Sequence, residues 1–387
     1  MHKELMHQAL GLAAQALFLS NPNPRVGCLL VAPDGRVIGR GFTQQAGGPH
    51  AEVVALRDAA AAGQDVRGAT AYVTLEPCAH QGRTGPCCDA LVAAGIGKVV
   101  ASIADPNPLV AGQGFARLRA AGVEVEVGPG AAESRALNIG FFSRMVRGTP
   151  WVRLKVAASL DGATALANGT SQWITSPAAR ADGHAWRARA CAVLTGIGTV
   201  LDDNPRLDVR EVPTPRQPQV VVVDSRLQTP PDAQLFSADR ARLVYAAGAA
   251  SAADAAGAPG GPDTAEAAFA ARRQALQLRG ATVLALPGAG GKVDLAALLR
   301  DLGQRGINEL HVEAGHKLNG SLLREGLVDE LLVYLAPKLL GPGLSMANIG
   351  PLSDLAQAQA LEFSSVERVG PDLRILARVL GPRRNAF

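Results

Sequence analysis

Four side chains on three separate segments limit most strongly how this chain can fold. They are His50 and Glu52 in Pro49-His50-Ala51-Glu52, Cys78 in Glu76-Pro77-Cys78, and Cys87 in Pro86-Cys87. An imidazole and two thiolates form a soft donor set suited to Zn²⁺, and three protein ligands leave the fourth tetrahedral position to water. A carboxylate two residues from the histidine can carry protons to and from that water. The fold must bring these three segments to one point.

Local patterns supply elements able to do so. Apolar residues Leu5, Ala9, Leu12, Ala13 and Ala16 recur at helical spacing over 3–19. Residues 26–31 form a continuous apolar run closed by Pro33-Asp34-Gly35, with 37–41 as the hairpin return. Residues 50–62 read as a helix stopped by Gly63. His50 and Glu52 then fall in a first turn whose outward N–H groups favour anions. Segments 71–75, 99–103 and 123–127 read as strands, and 87–94 and 115–121 as helices. This alternation predicts a layered α/β unit with parallel pairings and ligands at the carboxyl edge of its strands.

The pattern changes at Gly148-Thr149-Pro150, a linker between two domains, 1–147 and 150–387. In the second, strands are read at 151–157, 192–194, 220–223, 243–245, 282–286, 309–312 and 330–336, with two antiparallel strands across 361–380. Ser176-Pro177 caps a helix to Ala190, and 293–305 and 318–325 read as further helices. The Ala/Gly-rich stretch 246–271 reads as a surface connection, partly helical, without chemistry.

Bulk properties narrow the function. The net charge is only +4 and neither half is strongly cationic, which argues against a polynucleotide partner and leaves room for a small anionic substrate. Five cysteines, three of them clustered, suit a metal site better than a disulfide framework. The N-terminus reads as a helix rather than a signal peptide, and no apolar run reaches the roughly 18 residues of a membrane span. A soluble, cytoplasmic protein without a membrane partner is expected.

H-x-E followed by Pro-Cys and a second cysteine marks zinc-dependent base deaminases. Cys88 adjoins the second cysteine, but only Cys87 follows a proline, so Cys88 is assigned to packing. Asn23, in Asn23-Pro24-Arg25-Val26-Gly27, sits where an amide could bond a pyrimidine edge, though a plain turn explains it equally. Eight residues separate Cys78 from Cys87, and they include His80, Arg83 and Thr84 among glycines. Glycines let backbone approach a ligand while Arg and Thr donate to phosphate oxygens, which favours a mononucleotide substrate.

The second half has no G-x-G-x-x-G after a strand, so a Rossmann fingerprint is unsupported. It carries four polar stretches instead. These are Lys155-Val156-Ala157-Ala158-Ser159-Leu160-Asp161-Gly162, Ser171-Gln172-Trp173-Ile174-Thr175, the run from Thr195 to Pro205 leading to Leu207 and Arg210, and Val312-Glu313-Ala314-Gly315 followed by His316 to Ser321. In the last, backbone N–H groups and Lys317 gather at a helix start suited to a pyrophosphate or 2′-phosphate, or simply form a strand–helix turn.

Together, residues 21–27, 49–52 and 76–88 and the four later stretches resemble the bifunctional riboflavin biosynthesis deaminase/reductase family over essentially the whole chain. The resemblance implies a cytidine-deaminase-like three-layer α/β/α domain followed by a dihydrofolate-reductase-like α/β domain. It further implies zinc on His50, Cys78 and Cys87, with Glu52 as proton donor and acceptor in hydrolysis of the 2-amino group of 2,5-diamino-6-ribosylamino-4(3H)-pyrimidinone 5′-phosphate. For the second domain it implies NADPH-dependent reduction of the ribosyl group of 5-amino-6-ribosylamino-uracil 5′-phosphate to ribityl. By motif, NADP contacts fall at Ala157, Trp173, Thr199, Asp203, Ser225, Gly315, His316, Lys317, Leu318, Asn319, Gly320 and Ser321. Substrate contacts fall at Asn23, His80, Arg83 and Thr84 in the first domain and at Ser171, Arg187, Leu207, Arg210 and Glu313 in the second. Arg187 and Arg210 suit a phosphate clamp, and Lys155 is the candidate for assisting the sugar. Ala314 and His316 depart from the family's V-E-G-G-P-T run, which leaves the local turn geometry open. A homo-oligomer is expected. The alternatives are another zinc nucleotide or tRNA deaminase fused to a dihydrofolate-reductase-like domain, and a zinc-stabilised binding module; the second requires a fourth protein ligand such as Cys88.

Overall fold

A computed structural model describes residues 2–79, 85–108, 110–248 and 261–381. His80, Arg83 and Thr84 lie outside the described residues, as do 249–260 of the Ala/Gly-rich stretch. The chain divides into two units, Met1–Gly148 and Thr149–Phe387.

In the first unit the order is α1 (His2–Gln15), β1 (Gly27–Val31), β2 (Val37–Phe42), α2 (Ala51–Ala61), β3 (Thr70–Val73), α3 (Cys87–Ala93), β4 (Lys98–Ala101), α4 (Gln113–Ala120), β5 (Glu124–Val127), α5 (Ala131–Leu137) and α6 (Ile139–Arg147). The sheet runs β2-β1-β3-β4-β5. β3, β4 and β5 are parallel, whereas β1 is antiparallel to both neighbours, so the expected parallel pairing holds for part of the sheet only. Every residue of β1 is buried because both faces are covered. Leu29 and Val31 join Met6 and Ala9 of α1 in one core. Residues one step out of phase face α2 on the other side. There, Gly41 of β2 stands opposite Cys28, and a Cβ on it would lie 2.3 Å from the Ala51 carbonyl oxygen. Gly39 is comparably close to Ala55. Helix and strand thus meet backbone to backbone, which only glycine permits. The layers are α/β/α.

The second unit contains β6 (Trp151–Ser159), β7 (Ala163–Leu166), α7 (Pro177–Arg189), β8 (Ala192–Gly196), α8 (Ile197–Asp203), β9 (Gln219–Val223), β10 (Arg242–Ala246), α9 (Gly261–Leu278), β11 (Ala281–Ala285), α10 (Leu295–Gln304), β12 (Glu309–Val312), α11 (His316–Arg324), β13 (Glu330–Ala336), β14 (Gly343–Ser345), β15 (Leu361–Val369) and β16 (Asp372–Val379). Its main sheet runs β11-β10-β9-β8-β12-β6-β13-β16-β15, and β14 pairs separately with β7. All pairings from β11 to β13 are parallel, and β16 and β15 add an antiparallel edge. Leu295, Leu298, Leu299 and Leu302 of α10 cover one face. Phe269 and Leu276 of α9 pack with the residues of the other, so the helical part of the Ala/Gly-rich stretch belongs to the core. The middle of the polar run from Thr195 to Pro205 is helical, forming α8, with Val200 buried.

Candidate active sites

In the first unit, His50 is the N-cap of α2, Glu52 lies in that helix's first turn, and Cys87 opens α3. One ligand atom from each of His50, Cys78 and Cys87 lies within 4.8 Å of the others. The His50 Nδ1 is 3.6 Å from Cys78 Sγ and 3.3 Å from Cys87 Sγ. Zn–S and Zn–N bonds of about 2.3 and 2.0 Å at tetrahedral angles place sulfur and nitrogen about 3.5 Å apart. The three donors fit zinc. The Cys87 N–H points at Cys78 Sγ (3.4 Å), and Glu52, 3 % exposed, lies beside the pair. Burial pushes the Glu52 carboxyl up to about 7. Cys88 turns away from the cluster: its Sγ donates to the carbonyls of Pro77 (3.1 Å) and Gly114 (3.6 Å).

The sequence reading missed Glu76. Its buried carboxylate accepts four main-chain N–H groups, from Asp105, Gly112, Gly114 and Phe115, at 2.9–3.3 Å. It ties the strand-end loop before Cys78 to the segment that leads into α4. An acid at the end of the apolar run 71–75, directly before Pro77-Cys78, was the available signal. Asn23 lies in the turn before β1, its N–H bonded to the Ser20 carbonyl (2.8 Å).

In the second unit a cleft of about 1470 Å³ collects every candidate named there except Gly320. Gly320 packs instead against the segment after β14, where a Cβ would lie 1.9 Å from the Asn348 carbonyl oxygen. The adjacent Asn319 side chain donates to the Met346 carbonyl (2.9 Å). The N-terminus of α11, capped by Gly315, opens into the cleft, with Thr199 Oγ1 3.8 Å from where a Cβ on Gly315 would be. Trp173, 65 % exposed, lies at the rim with Arg180 stacked 4.4 Å above its ring. These residues suit a dinucleotide, having room, an aromatic face and an anion-binding helix start.

The Arg187 guanidinium forks onto both Glu313 oxygens, one bond at 2.9 Å, and gives a third bond to the Asp208 carbonyl (3.0 Å). Three of its five N–H donors are therefore engaged within the chain. Burial alone would raise the Glu313 carboxyl, but Arg187 and Lys155 hold it well below the ordinary range. Lys155 Nζ is 3.8 Å from Glu313, and burial lowers its pKa. The Asp208 carboxylate pairs with Arg206 and Arg210, and His184 Nδ1 accepts the Arg210 N–H at 3.1 Å. Burial lowers His184 to about 4, with Arg187 and Arg210 adding to the shift, so it is a neutral acceptor. Asp208 and His184 were not singled out from sequence, although Arg206-x-Asp208-x-Arg210 shows alternating charge.

The fold and these sites define a two-part class: a cytidine-deaminase-like zinc unit followed by a dihydrofolate-reductase-like unit. Residues 1–103 match the cytidine and deoxycytidylate deaminase zinc-binding region, and residues 150–375 match the RibD C-terminal domain. The chain belongs to the family of riboflavin biosynthesis protein RibD. It is 46 % identical to that protein from Escherichia coli strain K12, over 95 % of this chain and 96 % of the relative, and 38 % identical to the Aquifex aeolicus protein over 96 % and 97 %. Among solved structures, Acinetobacter baumannii RibD (form 1) superposes with a TM-score of 0.86 at 40 % identity, covering 98 % of this chain and 99 % of that one. The Thermotoga maritima diaminohydroxyphosphoribosylaminopyrimidine deaminase/5-amino-6-(5-phosphoribosylamino)uracil reductase superposes at 0.82 with 33 % identity over the same shares. No described helix is long and apolar enough to cross a membrane.

Proposed function

We propose that this chain catalyses two consecutive steps of riboflavin biosynthesis. Residues 1–147 deaminate 2,5-diamino-6-ribosylamino-4(3H)-pyrimidinone 5′-phosphate, and residues 150–387 use NADPH to reduce the ribosyl group of the uracil product to ribityl. The observation that carries the reading is the tetrahedral-compatible grouping of His50, Cys78 and Cys87 beside a buried Glu52.

When bound, zinc supplies an activated water at neutral pH. Water adds at the amino-bearing carbon and ammonia leaves. Glu52 takes the proton from the water and delivers it to the departing nitrogen. Asn23, His80, Arg83 and Thr84 hold the base and its phosphate. In the second unit Ala157, Trp173, Thr199, Asp203, Ser225 and the start of α11 would hold NADPH, which would supply the hydride. Ser171, Leu207, Arg210 and Glu313 orient the ribotide, with Arg187 fixing the Glu313 carboxylate. Lys155, beside that carboxylate, gives the proton taken up as the sugar opens. Small pyrimidine ribotides are the partners, without nucleic acid or membrane; the protein is cytoplasmic and self-associates.

The test supplies the diaminopyrimidine ribotide with and without NADPH and follows ammonia release and NADPH oxidation. Glu52→Ala is expected to abolish ammonia release while still reducing pre-deaminated uracil ribotide. Loss of both activities in folded Glu52→Ala protein, or a preference for NADH, would refute the reading.

A further inference from the structure

The segment 204–210, between α8 and β9, carries two residues assigned above to the ribotide, Leu207 and Arg210. It has no regular secondary structure, and Asn204 (φ 42°) and Leu207 (φ 53°) occupy the left-handed region. Residues with a Cβ hold such conformations only where surrounding contacts over-determine them. Gln217 and Arg240, which supply several of these contacts, do not line the cleft, whereas Gln234 does. Asn204 Oδ1 accepts the Gln234 N–H (2.8 Å), and the Gln217 amide brackets Val209, accepting its N–H (2.8 Å) and donating to its carbonyl (3.0 Å).

Arg240 makes the largest share. It is 8 % exposed and does not line the cleft. Its Nη1 donates to the Leu207 carbonyl at 2.6 Å and its Nη2 to the Arg206 carbonyl, so the two peptide groups flanking the left-handed Leu207 share one guanidinium. Longer bonds reach the carbonyls of Pro218 (3.5 Å) and Leu235 (3.4 Å). A buried guanidinium is costly to desolvate, and a neutral side chain of similar volume would avoid that cost. A neutral apolar side chain could not join carbonyls from three separate stretches of chain. One residue beyond Leu207, the Asp208 carbonyl receives Arg187, and the Asp208 carboxylate holds Arg210.

We infer that Arg240 is a positioning residue for the reductase. By binding the Arg206 and Leu207 carbonyls it sets where Leu207 and Arg210 meet the ribotide, and it touches neither ribotide nor cofactor. This role rests on the reductase reading. Wild-type protein that fails to oxidise NADPH with the uracil ribotide would remove both, whereas the variants below bear on Arg240 alone.

Arg240→Met keeps the buried volume and removes every donor. It is expected to raise KM for the ribotide about ten-fold or more, while Kd for NADPH, read by fluorescence titration, and ammonia release stay at wild-type values. Arg240→Lys, which retains a charge and a donor, is expected to fall between. A ribotide KM equal to wild type would overturn the inference. A parallel rise in ribotide KM and NADPH Kd would also overturn it, because that pattern marks general loss of the unit's packing. Should Arg240→Met not be recovered folded, Arg240→Lys is judged by the same two constants.

Discussion

Gly41→Ala adds a single methyl group on a residue with no proposed catalytic or metal-binding role, yet it is expected to disable the first active site. The new Cβ would stand 2.3 Å from the Ala51 carbonyl oxygen, 2.4 Å from the Ala55 nitrogen and 2.9 Å from Val54 Cβ. Ordinary contact begins near 3.4 Å, so α2 must retreat by 3.4 − 2.3 = 1.1 Å, or β2 must yield by the same amount. Ala51 lies between His50 and Glu52, so the retreat acts directly on both. Metal-ligand distances tolerate about 0.2 Å, and a misplacement of about 1 Å can lower a rate on the order of 10²-fold. The overpacking itself should cost about 1–3 kcal/mol of stability. The assay measures zinc per chain after gel filtration, with ammonia release, and uses NADPH oxidation on pre-deaminated ribotide as the internal reference. The expected result is sub-stoichiometric zinc and deamination down by roughly 10²-fold with reduction unchanged. Full zinc content with a wild-type ammonia rate would refute the claim that backbone contact between α2 and β2 sets the site.

Gly11→Ala, at an exposed position of α1 with nothing within 4 Å of the new Cβ, should instead raise the first unit's stability by about 0.5–1 kcal/mol, measured by urea melts. Cys87→Ala should lose zinc, whereas Cys88→Ala, which breaks only bonds to the Pro77 and Gly114 carbonyls, should retain stoichiometric metal and ammonia release. Equal zinc loss in both would show that Cys88 is a ligand. Glu76→Gln, which removes the charge that gathers four N–H groups, should destabilise the first unit by about 2–4 kcal/mol in the same urea melts. His184 has a folded pKa of about 4 against an ordinary 6.5, so the unfolded chain takes up the proton first as pH falls. The thermal midpoint of the second unit should therefore drop between about pH 6.5 and pH 4, and His184→Gln should flatten that part of the profile. An unchanged profile in the variant would rule out this contribution.

The elements around the zinc donors were readable to within a few residues because apolar periodicity is a local property. The 26–31 run became β1, and the helix read at 50–62 became α2 with His50 as its cap. The donor set was equally legible, since the chemistry of one imidazole, two thiolates and a nearby carboxylate does not depend on knowing the fold. Sheet order and side-chain partnership were not. Nothing local specifies that β1 runs antiparallel to both neighbours or that α9 buries Phe269. Arg187 suits a phosphate clamp by residue type, and only the fold shows that Glu313, 126 residues away, takes two of its five donors. Glu76 and Arg240 acquire their roles only when distant main-chain groups converge on them. By itself the sequence determined which chemistry the chain can carry and where the helices and strands around the zinc donors begin. Only the tertiary structure decided which polar groups are spent on holding the sites and which are left for a ligand, because a hydrogen bond depends on distance in space rather than on separation along the chain.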